Sequence, residues 1–422
     1  MKKLLIFSLM VIFSFKTYSE ELGNGWSLNG YGQLIPYMDG RDFSNDTYAQ
    51  TWTSSKLRVG VEKIVNEHFS FVMKIQDSRI WGENASVMDH YGNTGLIEGY
   101  VKYSNIFDEP LSLQAGRFQM AYGNGRFIHT SPWNYHERTF DGARASYNPD
   151  NFSIDLFYTT HTNSHEYKLN ARPGDYPYPA EDYDGYEIFG LWGKSMISDK
   201  SELNLFAFRE SNSEVGESGE ALIDQTTFGT SYYGRYGKLS TDLDFGYQIG
   251  TRDDMDVAAY LASFKLAYQF EPVKVHAGTD WHSGTAPDDL LEENNTFDNY
   301  IAAKHRFFGN MDYFTAARGL YNGLGVNDYY AGLTFGGKKT DWMFMANFHY
   351  FMSNQESASG ESAYGQEIDL VLRYNVTRGV FVEWGGGVFF QGELMKKFYE
   401  LPGDTVREDL GFMSYLRTFF NI

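Results

Sequence analysis

The 422-residue sequence contains no cysteine and only 10 prolines. The missing thiols exclude a disulfide framework, a thiolate metal site and a lipid-anchoring N-terminal cysteine. Basic side chains are also scarce: 35 Lys and Arg face 55 Asp and Glu, for a formal charge of −20. Nucleic acid is therefore not an expected partner, because phosphate backbones demand a basic footprint. Past the N-terminus no apolar run reaches 18 residues, so no membrane-spanning helix is expected. What is abundant is aromatic: 32 Tyr, 34 Phe and 8 Trp, in a chain whose mean hydropathy is −0.44. That much apolar surface rules out a disordered or collagen-like chain. In a chain polar on average it must be spread by alternation. No change of composition divides the sequence, which reads as one large domain.

Residues 1–19 have the form of an export signal. Lys2 and Lys3 precede an apolar stretch from Leu4 to Phe15, and Thr17-Tyr18-Ser19 offers a small-x-small cleavage site before Glu20. The stretch is shorter than the ~20 residues a spanning helix needs. Its removal takes away three lysines and leaves the remainder, residues 20–422, still more acidic.

From residue 25 onward one habit repeats: period-2 alternation, a brief turn, alternation again, then a longer polar loop. Leu239, Thr241, Leu243, Phe245, Tyr247 and Ile249 fall on one face of a ribbon, opposite Ser240, Asp242, Asp244, Gly246 and Gln248. Residues 152–158, 273–282 and 341–350 repeat the pattern. Short turns are expected near Asn66, Asn148-Pro149-Asp150, Gly237-Lys238, Glu271-Pro272, Gly309-Asn310, Gly337-Lys338 and Arg378-Gly379. Long loops are expected across 82–95, 120–139, 161–183, 211–223, 283–296, 352–362 and 391–408. This predicts an all-β fold: a single transmembrane antiparallel β-barrel of about 18–20 strands, with short periplasmic turns and long extracellular loops. A soluble sandwich also alternates, but its loops are of similar length at both ends. The last strand is apolar and aromatic, through Phe412, Leu416, Phe420 and Ile422. A barrel of this size has an interior wide enough for solvent and infolded loops, and Glu20 to Gly25 are too few to form a plug.

The densest motif lies at 111–147. Leu111 to Ala115 run into Gly116-Arg117; Tyr122-Gly123-Asn124-Gly125-Arg126 and Trp133 follow; Phe140-Asp141-Gly142-Ala143-Arg144 opens the next strand. A strand ending in Gly-Arg, a Gly-Arg loop with a Trp, then Phe-Asp-Gly-x-Arg resembles the alginate export family of outer-membrane barrels. The resemblance implies a monomeric barrel of eighteen strands in the outer membrane of a Gram-negative-type bacterium. It further implies a pore for anionic saccharides, with Arg117, Arg126, Asp141 and Arg144 in the lumen. Other members are general or sugar-specific porins, so the family alone leaves the solute open.

Alternation independently turns Arg144 inward. It puts Arg117 on the face of Leu111 and Leu113, unless Gly116 forms a bulge that re-aims it. Arg58, Lys74 and Lys102 are further inward cations, with Lys56, Lys265, Lys274 and Arg373; Glu98 is an inward acid, with Glu62, Asp155, Glu187, Asp242, Asp244, Asp280, Glu367 and Asp369. Guanidinium forks suit carboxylate recognition, and a lumen of both signs sets up a field that orients dipolar sugars. The competing reading is that these charges pair among themselves for stability. Tyr100, Phe157, Phe189, Phe206 and Phe208 are expected inward, either as a stacking track for sugar rings or packed against loops.

Neither a metal nor a cofactor is expected. His161 and His165 stand four apart in a loop, without the helix that would align them. The acidic stretches 181–184 and 288–293 lack a regular ligand spacing. Outer-membrane lipid, lipopolysaccharide and saccharides are the expected partners. Three alternatives to a saccharide channel remain: a general porin, a barrel hydrolase and a surface adhesin. No nucleophile-elbow or paired-His motif supports the hydrolase.

Overall fold

The computed structural model describes residues 20–44, 48–83, 93–134, 136–160, 186–212, 223–289, 292–298, 301–315, 323–337, 340–398 and 410–421. The expected export signal, the His161/His165 pair and the 181–184 stretch lie outside these.

A short strand β1 (Glu20–Gly23) is followed by β2 (Trp26–Gly40), β3 (Gln50–Ile64), β4 (Phe69–Ile80), β5 (Thr94–Tyr103), β6 (Leu111–Phe118), β7 (Phe140–Tyr147), β8 (Phe152–Thr160) and β9 (Glu187–Ser198). Then come β10 (Ser201–Ser211), β11 (Ile223–Tyr236), β12 (Leu239–Arg252), β13 (Met255–Phe270), β14 (Val273–His282), β15 (Val326–Gly336), β16 (Trp342–Met352), β17 (Ala363–Thr377), β18 (Val380–Gln391) and β19 (Gly411–Asn421). Each of β2 to β19 pairs antiparallel with its sequence neighbours, and β19 pairs with β2, Phe412 opposite Gly40 and Asn421 opposite Tyr31. The result is a closed eighteen-stranded barrel, the lower end of the expected range. Strand β1 adds only to β2, Glu20 opposite Leu28.

Closure removes every sheet edge, which is what lets strands cross hydrocarbon. The alternation does the rest. Leu57 and Val59 on β3, Met73 and Ile75 on β4, and Leu243, Phe245 and Ile249 on β12 are exposed on the outer face, while Lys56, Gln76 and Asp244, adjacent in sequence and of opposite parity, are buried inside. Near the short turns the outer face is aromatic, with Trp26, Phe69, Tyr103, Phe152, Tyr236, Phe270 and Trp342 exposed.

The long connection from Ser283 to Gly325 corrects the sequence reading. Gly309-Asn310 is not a hairpin turn between two strands; it sits within a loop that folds into the lumen. Ile301, Ala302, Phe308, Met311 and Phe314 are all buried there. Alternation gives no sign of this fold because Ile301, Ala302, Ala303 and Lys304 are buried in succession. It packs in two places. Phe297 and Ile301, with Phe127 and Ile128 of the β6–β7 loop, join Phe157, Trp192, Phe206 and Phe208 of the inner wall. Phe308, Met311, Tyr313 and Phe314 join Ile35, Phe351, Tyr364 and Phe389 on the other side. Phe157, Phe206 and Phe208 thus pack against loops. Phe189 is 54% exposed on the outer face, and Glu187 shares that face, accepting from Tyr158 Oη at 2.6 Å. Both had been expected inward; the strand's parity runs through Ile188, Gly190 and Trp192 instead.

Candidate functional site: a constriction built by two infolded loops

Two loops meet inside the barrel, one following β6 and one following β14. Their backbones bond directly: His129 N–H donates to Ile301 O at 2.8 Å and Ala303 N–H to Gly125 O at 2.9 Å. The Trp133 ring stacks on His305 at 4.0 Å between centroids and 7° between planes. Arg138 Nη1 donates to the carbonyls of His129 and Ile301 at 2.7 and 2.9 Å. The joined loops are then tied to the wall by charge. Lys56 Nζ and Arg58 Nη2 each lie 2.8 Å from the Glu137 carboxylate. Burial pushes the Glu137 carboxyl up, but Lys56 and Arg58 outweigh it and hold it at about 2. At the other end, Asn310 and Met311 N–H donate to Asp369 Oδ2 at 3.1 Å and Glu367 Oε1 at 2.9 Å.

Beside the loops lies a chamber of about 130 Å³. Its walls carry Asp242, Asp244 and Asp280, with Asp369, against Arg126, Lys265 and Arg306; His276, His349, Tyr330 and Phe307 complete much of the lining. The two signs are not equally presented. Asp244, Asp280, Asp328, Glu367 and Asp369 are buried in the wall. Arg126 is buried with them, Nη1 2.8 Å from Asp280 and Nε 3.4 Å from Asp244, and its guanidinium lies 3.8 Å over Phe307. His349 Nδ1 is 2.8 Å from Asp328. Arg306 is exposed and donates to the Asn124 carbonyl at 2.7 Å; Lys274 is exposed and Lys265 half-buried, its ammonium 5.9 Å from the Tyr330 ring centre. Among the described residues no carboxylate lies within ion-pair distance of Lys265, Lys274 or Arg306. All three are close enough to Asp242 to act on it electrostatically. The charges that face open space are therefore mainly cationic.

The residues singled out from the sequence are scattered differently. Arg126 is in the chamber wall. Arg58, Lys74, Glu98, Lys102 and Arg144 face the interior elsewhere: Lys74 pairs with Glu98, and Arg144 Nη2 donates to Gln114 at 2.9 Å with Nη1 3.7 Å from Asp155. Arg117 and Asp141 are a correction. They form a two-bond ion pair, 2.7 and 2.5 Å, on the outer face, with side chains 39% and 49% exposed. The supposed bulge at Gly116 is absent, since the register runs unbroken from Leu111–Tyr147 to Phe118–Phe140. The glycine is needed because its φ is +126° and a Cβ there would meet Gly99 O at 2.3 Å. Arg306 was missed, because a loop segment without periodicity gives no sign of which way it folds. Among the described residues no three His, Asp or Glu converge in a group able to hold a metal ion.

A sequence model of the alginate export family matches residues 38–324, a span that includes both infolded loops. The chain belongs to the alginate export family. No curated protein sequence matches it. In fold it is similar to OpdL of Pseudomonas aeruginosa, at TM-score 0.63 and 11% identity over 94% of this chain and 98% of that one. A BenF-like porin from Pseudomonas fluorescens Pf-5 gives TM-score 0.62 and 10% identity over 94% and 98%. Pseudomonas aeruginosa OpdK, solved with vanillate, gives 0.56 and 9% over 94% and 98%. At such identities the likeness is one of fold. With its family, the barrel makes this protein an outer-membrane channel.

Proposed function

We propose that this alginate-export-family channel passes hydrophilic anionic solutes, acidic oligo- or polysaccharides above all, by diffusion past the loop-built constriction. The bacterium would be of Gram-negative type, with the outer wall of the barrel against lipid and lipopolysaccharide. The observation that carries the reading is the lack of ion-pair partners for Lys265, Lys274 and Arg306 around one carboxylate, Asp242. Buried acids are already answered by Arg126, His349 and loop N–H groups, whereas Lys265, Lys274 and Arg306 share the single carboxylate of Asp242. Carboxylates of a uronate fit them: ammonium and guanidinium donors make charge-assisted bonds worth about 1.5–3 kcal/mol each. The role is transport, with no covalent step.

The test is electrical. Replacing Lys265, Lys274 and Arg306 together by Gln should shift the reversal potential in a salt gradient toward cations and weaken block by oligouronates. Unchanged selectivity and block, at normal barrel yield, would end the anionic reading and leave a general porin.

A further inference from the structure

The infolded loops cover many of the inward aromatic rings, but they leave one strip bare. Tyr31 on β2, Phe419 on β19 and Phe381 on β18 stand on three adjoining strands near the short-turn end of the barrel. Parity turns them inward with Gln33, Arg417 and Glu383. Phe381 and Phe419 stack at 4.6 Å between centroids and 13° between planes, and Tyr31 meets Phe419 edge-on at 5.3 Å. All three are half-buried, and none belongs to either cluster packed against the loops. They are an apolar strip on a wall that is otherwise polar inside.

Arg417 stands two residues further in on β19. Its guanidinium lies 5.2 Å from the Phe419 ring centre, 5.4 Å from Phe381 and 5.7 Å from Trp133 of the β6–β7 loop. Its hydrogen bond is to a neutral group, Nη2 to Gln33 Oε1 at 2.9 Å. Glu383 is opposite in register, but its carboxylate accepts from Arg373 Nε at 2.7 Å. Arg373 lies 4.2 Å over Phe381 with its charge thus answered, and Arg58 is held by Gln76 and Glu137. Among the described residues no carboxylate lies within ion-pair distance of Arg417. From there the contacts lead to the constriction, since Trp133 stacks on His305 and His305 lines the chamber.

We propose that this strip is a second solute station, on the periplasmic side of the constriction, for a sugar ring that carries a carboxylate. The electron-rich faces and edges of the rings suit the C–H face of a pyranose, and the planar fork of Arg417 takes the carboxylate. Strands hold the rings in place before the solute arrives, so little order is lost on binding. The station rests on the anionic reading above. It uses other residues, on other strands, than the chamber cations.

The test is block of the single-channel current by galacturonate oligomers added from the periplasmic side. Arg417→Gln should raise the half-blocking concentration roughly tenfold, as expected for a lost charge-assisted bond. Phe381→Leu and Phe419→Leu keep apolar bulk without the ring and should raise it several-fold. A gel-mobility shift on heating shows that each variant is folded. The same losses should appear when these changes are added to the triple Gln variant of the chamber, so a failure of the chamber reading and a failure here are told apart. Unchanged block in all three folded variants would overturn the proposal. So would a loss in Arg417→Gln alone, which would reduce the arginine to a contributor to the lumenal field. Block by benzoate with none by galacturonate would also overturn it and assign the strip to aromatic acids.

Discussion

Arg126 joins an infolded loop to the barrel wall through Asp280: Nη1 donates to Oδ2 at 2.8 Å, with 4% and 1% of the two side chains exposed. Asp244 lies on its other side at 3.4 Å. Removing the cation would strand two buried carboxylates, a loss of about 3–5 kcal/mol for a broken buried pair. The barrel ladder does not depend on this contact, so the loss falls on the loop. Arg126→Met should therefore give normal barrel yield, a larger and noisier single-channel conductance and a shift toward cations. Conductance identical to the native channel would show that the loop is held without it.

Gly309 tests the opposite attachment. Its φ is +76°, and a Cβ would lie 2.2 Å from Glu367 Oε1, the atom that accepts Met311 N–H. Gly309→Ala adds a left-handed strain of about 1–2 kcal/mol to that clash. The expected outcome is release of residues 307–311 from the wall and a wider constriction, read as higher conductance and faster passage of neutral sugars in liposome swelling. Gly237→Ala, at a short turn where a Cβ meets nothing within 4 Å, is the control and should leave both unchanged.

Acid should loosen the third attachment. The Glu137 carboxyl sits at about 2 in the folded chain against 4.5 for a free glutamate. A folded value below the unfolded one gives stability that is complete above about 4.5 and is lost as pH falls toward 2. Burying the Lys56 ammonium offsets part of that gain. Open-channel noise in the native protein should stay flat from pH 7 to about 5 and rise below. Glu137→Gln should be noisy already at pH 7. A pH-independent variant matching the native channel throughout would detach Glu137 from the constriction.

The wall was legible in the sequence and the constriction mostly was not. Alternation reports one buried and one exposed face, so Lys56, Lys74, Asp244 and Arg373 could be assigned inward from their neighbours alone. Where a segment is covered on both sides the signal vanishes, and 297–315 passed for a hairpin because Gly309-Asn310 has turn chemistry. Arg117 went astray for another reason. The family motif groups it with Arg126 and Arg144, whereas strand parity separates them, and parity won because the ladder has no bulge there. Lys265 and Lys274 were readable as inward, but that no carboxylate except Asp242 is left to answer them depends on Arg126 having claimed Asp244 and Asp280.

The final strand closes the ring and gives the last prediction. Strand β19 pairs with β18 from Phe420–Val380 to Gly411–Phe389 and with β2 from Asn421–Tyr31 to Phe412–Gly40. Deleting residues 411–422 leaves both neighbours with unpaired N–H and C=O groups, which hydrocarbon cannot satisfy. Direct closure of the remaining seventeen strands offers no easy escape. Strands β18 and β2 are each antiparallel to β19 and hence parallel to one another, so the seam would need a different hydrogen-bond pattern. Buried Met413 and Tyr415 would also be lost from the core that holds the infolded loop. The truncated chain should accumulate unfolded in the periplasm, with no mobility shift on heating and no channel activity. Arg417→Met, which removes a lumenal charge bonded to Gln33 but keeps the ladder, should assemble normally. A truncated chain reaching the outer membrane in folded form at native levels would mean that closure does not depend on β19.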